Sequence, residues 1–279
     1  MSRRIGVCSW SLRPESAADL IGKLQAVGLD CCQLHLDPLR LGVWKAEHAI
    51  LELFDAGIEV RSGMMGMKGE DYSTLETIAR TGGVRPDHHW KENLLAVKGN
   101  AKVAQAIGVD LVTFHAGFLP SDQGAERTKL VNRLREIADV FGHEGVRVGL
   151  ETGQESAVTL LGVLAEVDRA NMGVNFDPAN MLLYGMGEPV AALRSLASRV
   201  FQVHVKDALP AQTAGAWGTE VPVGSGAVDW KRFFDVLREK KNACDLMIER
   251  EAGDERVKDV RTAHARIQQE LADAPGAAR

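Results

Sequence analysis

Short apolar runs rich in β-branched residues alternate with longer amphipathic segments eight times along the 279-residue chain. Apolar runs of about four to eight residues bounded by turn residues predict buried strands, and apolar positions spaced three and four apart predict helices. The predicted strands are Ile5 to Ser9, Cys31 to Leu36, Glu59 to Ser62, Leu111 to His115, Arg147 to Glu151, Gly173 to Asp177, Phe201 to Lys206 and Leu246 to Glu249. The predicted helices are Ala17 to Val27, Lys45 to Ala56, Asp87 to Ile107, Ala125 to Phe141, Ala157 to Ala170, Pro189 to Ser198, Asp229 to Lys240 and Asp254 to Leu271.

Eight strand–helix units without a break in composition predict an α/β fold, a single (β/α)8 barrel over residues 1–271. A doubly wound open sheet is the alternative, but the turn after the first strand reads CSWSLRPES and lacks the glycine-rich phosphate loop usual in that fold. Residues 63–86 and 207–228 are predicted loops that set specificity. Residues 272–279 are small and aperiodic, and we expect a flexible tail there.

Composition excludes several kinds of partner. The chain has 33 Lys and Arg against 38 Asp and Glu, a net charge of −5 and no basic cluster, so no nucleic-acid partner is expected. No segment approaches the roughly 18 apolar residues of a membrane span, and the N-terminal apolar run is too short for a signal peptide. The four cysteines show no CxxC spacing and are expected as reduced core thiols in a cytoplasmic protein. The sequence leaves a homo-oligomer open.

The residues that close the predicted strands are the candidates for a site, because a parallel barrel builds its active site at the carboxyl ends of its strands. These residues are Trp10, His35, Ser62, His115, Glu151, Asp177, His204 and Glu249. Four of them, Glu151, Asp177, His204 and Glu249, come from consecutive strands and are predicted to bind one divalent cation. Three carboxylates and an imidazole suit Mn²⁺, which we expect first, or Mg²⁺, Co²⁺ or Zn²⁺. A charge at a buried strand end is costly without such a partner.

Asp177 and Lys206 each have a second interpretation. Asp177 precedes Pro178, so its side chain could instead cap the next helix. Lys206 shares a strand face with His204, which predicts that it holds a substrate oxygen or stabilises negative charge, although a pair with Asp207 or Asp177 would also explain it.

Three more strand-end residues are predicted to line the substrate site. His115 lies in TFHAG, where Ala and Gly leave room for a ligand, and the alternative is a buried histidine that donates to a neighbouring carboxylate. Trp10 and His35 are predicted to form a wall with apolar and hydrogen-bonding parts, or else to serve in packing.

With these residues identified, the chain resembles the xylose isomerase-like TIM barrel superfamily of sugar isomerases and epimerases. The resemblance covers nearly the whole chain and rests on the segments GLET, NFDPAN, VHVKD, VPVGSGAVDW and MIERE. In the ketose 3-epimerase branch, the matching Glu, Asp, His and Glu bind one divalent ion, and the two glutamates act as acid and base. The resemblance therefore implies both roles for Glu151 and Glu249.

This chain departs from the family pattern at two places. Many members have His three residues after the metal-binding Asp, where this chain has Asn180, which is predicted to contact the substrate. Some members have Arg shortly after the HxxD segment, where this chain reads ALPAQT. The chain has eight histidines. The endonuclease IV-like branch is disfavoured because its three-zinc cluster needs more histidines than these eight, in their arrangement along the chain, provide.

The predicted function is metal-dependent isomerisation or epimerisation of a keto sugar through an enediolate, with Glu151 and Glu249 as acid and base. A carbon–oxygen lyase that dehydrates an inosose or a 3-keto-glycoside through the same enediolate is the first alternative. A sugar-binding barrel without turnover is the second.

Overall fold

Residues 3–213 and 215–272 are described by a computed structural model. Their strands are β1 Ile5–Cys8, β2 Cys31–His35, β3 Glu59–Met64, β4 Leu111–Phe114, β5 Arg147–Glu151, β6 Met172–Phe176, β7 Val200–Val205, β8 Asp207–Leu209, β9 Thr219–Val221 and β10 Asp245–Ile248. Their α-helices are α1 Ala17–Val27, α2 Asp37–Arg40, α3 Ala46–Asp55, α4 Leu75–Thr81, α5 Asp87–Ala106, α6 Ala125–His143, α7 Ala157–Val167, α8 Pro178–Leu183, α9 Pro189–Leu196, α10 Trp230–Glu239 and α11 Arg256–Ala272. Short 3-10 helices form at Ser9–Leu12 and Ala197–Arg199.

Eight of the strands form a closed parallel barrel, in the order β1, β10, β7, β6, β5, β4, β3, β2. The predicted (β/α)8 barrel is therefore confirmed, and the open-sheet alternative is wrong. Because all eight strands run in the same direction, their carboxyl ends meet at one mouth.

The predicted helices are all present, with ends that differ by up to three residues. The glycines that follow α1, α3 and α5 adopt the left-handed conformation that closes a helix, with φ near +70° at Gly28, Gly57 and Gly108. Helix α7 ends earlier than expected because Asp168, at φ +50°, closes it in the same way. The core between helices and barrel includes the aromatic contact of Phe176 with Phe233, whose ring centroids are 5.7 Å apart.

Both segments predicted as loops contain short elements. In residues 63–86, β3 extends to Met64, and α4 begins after a capping box between Thr74 and Thr77. In residues 207–228, β8 pairs antiparallel with β9. Elements of three to seven residues show too little periodicity to be recognised in the sequence.

Asp207 organises the connection from β9 to α10. Its carboxylate accepts backbone hydrogen bonds from Gly224, Gly226 and Val228 at 2.8 to 3.2 Å, and the indole Nε1 of Trp230 at 3.0 Å. Two of the four backbone amides of the VGSG segment, those of Gly224 and Gly226, therefore donate to a side chain of the protein itself.

The predicted tail of residues 272–279 lies outside the described residues, except for Ala272, which ends α11. All four cysteines are free thiols; Cys8, Cys31 and Cys32 are buried, as expected for core thiols, whereas Cys244 is partly buried. Among the described helices, none combines the length and the apolar character needed to cross a bilayer.

Candidate metal centre and active site

The four predicted metal ligands meet at the mouth of the barrel. Glu151 ends β5, Asp177 follows β6, His204 lies in β7, and Glu249 follows β10. Each is at most 3% exposed. One ligand atom from each lies within 4.8 Å of the others. Four adjacent strands of the barrel thus supply three carboxylates and one imidazole to a single buried point.

The ligand atoms face one another without sharing hydrogen bonds. His204 Nδ1 lies 3.4 Å from Glu151 Oε1, 3.4 Å from Glu249 Oε2 and 4.0 Å from Asp177 Oδ2. Within the described residues, His204 Nδ1 and Asp177 Oδ2 are buried and have no hydrogen-bond partner. Buried polar atoms are normally satisfied, so two unsatisfied ones aimed at the same point fit a divalent cation.

Electrostatics give the same indication. Burial raises the pKa of Asp177 well above its usual range, against the charge of Lys206, and the carboxylates of Glu249 and Glu151 raise it further. Burial also raises the pKa of Glu249, but Lys206 and His204 outweigh it and hold that pKa well below the usual range. Three carboxylates this close cannot all ionise at neutral pH unless further positive charge is added, which a divalent ion would supply.

Neighbouring side chains hold the carboxylates in place. The indole Nε1 of Trp10 donates to Glu249 Oε1 at 2.8 Å, and Asn180 Nδ2 donates to Glu151 Oε1 at 2.9 Å. Asp177 Oδ1 accepts the backbone N–H of Asn180 at 2.9 Å and so caps α8. Both interpretations of Asp177 therefore agree with the structure, because one oxygen caps the helix while the other faces the site.

Lys206 lies beside the quartet of Glu151, Asp177, His204 and Glu249. Its ammonium contacts Glu251, donates to Glu249 Oε2 at 3.0 Å and to Asn180 Oδ1 at 3.3 Å, and lies 3.8 Å from Asp177 Oδ2. The alternative of a pair with Asp207 is wrong, because that carboxylate is occupied by the β9–α10 connection. Lys206 instead offsets part of the negative charge of the site.

A cavity of about 410 Å³ opens in this region. Its lining residues are Met64, Met65, Gly66, Glu70, Tyr72, His115, Asn180, Leu183, Tyr184, Lys206, Trp217 and Glu251. His115 faces both the cavity and the quartet, since its Nε2 lies 3.5 Å from Glu151 Oε1. The two interpretations of His115 are again compatible.

Several lining residues were not predicted from the sequence. Glu70 and Tyr72 lie in the 63–86 segment, Trp217 lies between β8 and β9, and Glu251 lies beyond the end of β10. The Trp217 and Tyr184 rings pack with centroids 4.8 Å apart at the cavity wall. Of these residues, only Glu251 could have been found from the sequence, because it lies two residues after Glu249.

His35 lies outside the 410 Å³ cavity. Its Nε2 lies 3.2 Å from Asp37 Oδ2, and with Trp10 it lines a separate groove that also includes Trp44. Trp10 and His35 were predicted to form one wall of the substrate site. Trp10 contacts the quartet through Glu249, but the structure does not bring His35 to the quartet.

The model of the xylose isomerase-like TIM barrel family matches residues 21–271. The chain belongs to this family. A crystal structure of a xylose isomerase domain protein from Planctomyces limnophilus is 31% identical, with a TM-score of 0.89 and coverage of 98% of both chains. The uncharacterized protein YihM of Escherichia coli K12 is 25% identical over 144 residues, which span 49% of this chain and 44% of that protein.

More distant members of the fold include a dehydratase and an epimerase. The probable 3-DHS dehydratase AsbF from Bacillus anthracis has a TM-score of 0.71 at 19% identity, with 95% of this chain and 98% of that chain covered. D-allulose 3-epimerase from Methylomonas sp., in complex with D-allulose, has a TM-score of 0.72 at 16% identity, with 96% and 97% covered. At these identities the similarity shows the fold alone.

Proposed function

We propose that this chain is a divalent-metal-dependent isomerase or epimerase of a keto sugar. The observation that carries the proposal is the pair of unsatisfied buried atoms, His204 Nδ1 and Asp177 Oδ2, aimed at one point beside a substrate-sized cavity. An epimerase of the same fold, in complex with D-allulose, supports the class of substrate.

A divalent ion held by Glu151, Asp177, His204 and Glu249 would supply Lewis-acid polarisation of a ketone carbonyl and would stabilise the negative charge that develops on the substrate. The protein supplies the proton transfers. One glutamate, ionised at the start, removes the proton from the carbon beside the carbonyl. The other, protonated at the start, returns a proton from the opposite side, so the two carboxyl groups exchange protonation states in each turnover. Glu151 and Glu249 suit these roles because β6 and β7 separate their strands around the barrel.

Contacts around the two glutamates keep each in position for proton transfer. Trp10 holds one oxygen of Glu249, and Asn180 holds one oxygen of Glu151. Lys206 balances charge at Glu249, while His115 lies close enough to Glu151 to exchange a proton with it. The packed rings of Tyr184 and Trp217 form an aromatic part of the cavity wall.

A lyase is the second candidate. Elimination uses the same enediolate and also needs an acid beside the leaving group, and His115 and Lys206 both line the cavity. The dehydratase among the structural neighbours supports this candidate. A binding-only barrel is disfavoured because all four ligands are retained.

The test is a panel of keto sugars, inososes and 3-keto-glycosides incubated in D₂O with Mn²⁺. Deuterium at carbon without loss of water indicates isomerisation or epimerisation, and an unsaturated product indicates the lyase. We expect Glu249→Gln to abolish turnover with the barrel folded, while Glu155→Gln, which alters a buried carboxyl outside the quartet, retains it. An active Glu249→Gln enzyme contradicts the proposal, and sugar binding without deuterium exchange supports the binding-only barrel.

A further inference from the structure

His204 has two ring nitrogens, and only one of them faces the three carboxylates of the quartet. Nδ1 faces the three carboxylates, whereas Nε2 lies 2.7 Å from the side-chain oxygen of Gln33 in β2. Both residues are fully buried inside the barrel. The contact joins strands that are 171 residues apart in sequence.

The orientation of the Gln33 amide follows from its other contacts. Its Nε2 donates to the backbone carbonyl of Gly63 at 3.1 Å and to Thr113 Oγ1 at 2.8 Å. A carbonyl oxygen can only accept, so the amide nitrogen must face Gly63 and the amide oxygen must face His204. An acceptor at 2.7 Å requires that His204 Nε2 carries a hydrogen.

Two series of hydrogen-bonded side chains, here called arms, reach His204 Nε2. The first arm is Gln33 with its contacts, and the second begins at Asn175. Asn175 Nδ2 lies 3.0 Å from His204 Nε2, Gln202 Nε2 lies 3.2 Å from Asn175 Oδ1, and Ser62 Oγ lies 2.5 Å from Gln202 Oε1. Asn175 Nδ2 also donates to Glu151 Oε2 at 3.4 Å. The second arm ends in a hydroxyl, which can donate or accept, so both amides can reverse together at the loss of that one long hydrogen bond. The arm from Gln33 ends at a backbone carbonyl and cannot reverse.

We propose that Gln33 is a positioning residue that keeps the hydrogen of His204 on Nε2, so that the Nδ1 lone pair stays available as the metal ligand. This role rests on the proposed metal site. The opposite tautomer would place an N–H among the ligand atoms and leave two acceptors in contact at the buried Gln33–His204 pair. Partners that orient a metal-binding histidine in this way typically tune metal affinity.

The first test compares metal affinity by calorimetry with Mn²⁺. Gln33→Met keeps the length of the side chain but removes the acceptor, and we expect about 10- to 100-fold weaker binding. Gln33→Glu, which retains an acceptor oxygen, is expected to restore much of that loss. Ser62→Ala is the matched control, because it removes an equally buried hydrogen bond from the reversible arm, and it should bind as the wild type does. Wild-type affinity in Gln33→Met contradicts the proposal.

The second test reads the tautomer directly. In ¹⁵N-labelled wild type loaded with diamagnetic Zn²⁺, the His204 ring, assigned by its loss in His204→Asn, should show a slowly exchanging proton on Nε2 and none on Nδ1. A proton on Nδ1 overturns the proposal even if Gln33→Met does not fold. A wild type that binds no divalent ion contradicts the proposed function itself, whereas a Zn²⁺-loaded protein with a proton on Nδ1 contradicts only the role of Gln33.

Discussion

Glu155 lies in the turn after β5 and carries a buried carboxyl whose pKa is raised by burial. It is 6% exposed, and no hydrogen bond to its carboxyl is found within residues 3–213 and 215–272. Burial raises its pKa from 4.5 to about 8. In the unfolded chain the same group ionises near its ordinary pKa. Between these two values the folded state binds more protons, so stability must fall as pH rises.

The size of this change in stability follows from the difference between the pKa values of Glu155 in the folded and the unfolded chain. The rise of this pKa from 4.5 to about 8 corresponds to about 5 kcal/mol of the free energy of unfolding in full. In the middle of the range the free energy of unfolding falls by about 1.4 kcal/mol per pH unit. Between pH 5 and pH 8 this amounts to about 3 to 4 kcal/mol. Glu155→Gln removes the titrating group. The free energy of unfolding of the variant, relative to wild type, should therefore rise by that amount over this interval.

The assay is urea unfolding at several pH values from 5 to 8, with and without Mn²⁺. Glu166→Gln is the control, because hydrogen bonding from Arg127 lowers the pKa of Glu166, and its effect on stability should be constant above pH 5. A difference between Glu155→Gln and wild type that stays flat from pH 5 to pH 8 would refute the conclusion that this carboxyl is buried without a partner.

Three further predictions concern other parts of the molecule. Gly226→Ala should destabilise the protein by at least about 2 kcal/mol in urea unfolding, since its Cβ would lie 2.0 Å from Asp207 Oδ1; Gly22→Ala, in open space on α1, should instead stabilise it by about 0.5 to 1 kcal/mol. Lys206→Met should tighten Mn²⁺ binding in calorimetry by at least about tenfold, because it removes a competing cation; weaker binding contradicts this. Trp217→Ala should raise KM several-fold with little change in kcat in steady-state assays, and the reverse pattern contradicts a role in binding.

The barrel and the convergence of Glu151, Asp177, His204 and Glu249 were predictable because they follow from local patterns. Each strand ends where an apolar run meets a polar residue, and Glu151, Asp177 and Glu249 each stand at such an end. In a parallel barrel those ends must converge, so the sequence carried the geometry of the quartet. His204 stood among the strand-closing residues, and strand alternation placed Lys206 on the same face.

The surroundings of the quartet were less predictable because they depend on contacts between distant strands and loops. Gln33 lies inside the apolar run CCQLH, and its partner His204 is known only once β2 and β7 close around the barrel. Glu70 and Trp217 reach the cavity from the two long segments, whose paths no periodicity reveals. His35 shows the converse error, since it closes a predicted strand but pairs with Asp37 away from the cavity.

The central claim is that Glu151, Asp177, His204 and Glu249 together bind one divalent ion. Equilibrium dialysis against Mn²⁺, followed by metal analysis, tests it most directly. The wild type should retain one ion per chain, and Asp177→Asn and His204→Gln should each lose most of it while remaining folded. A wild type that retains no ion, or variants that retain it with undiminished affinity, would contradict the account.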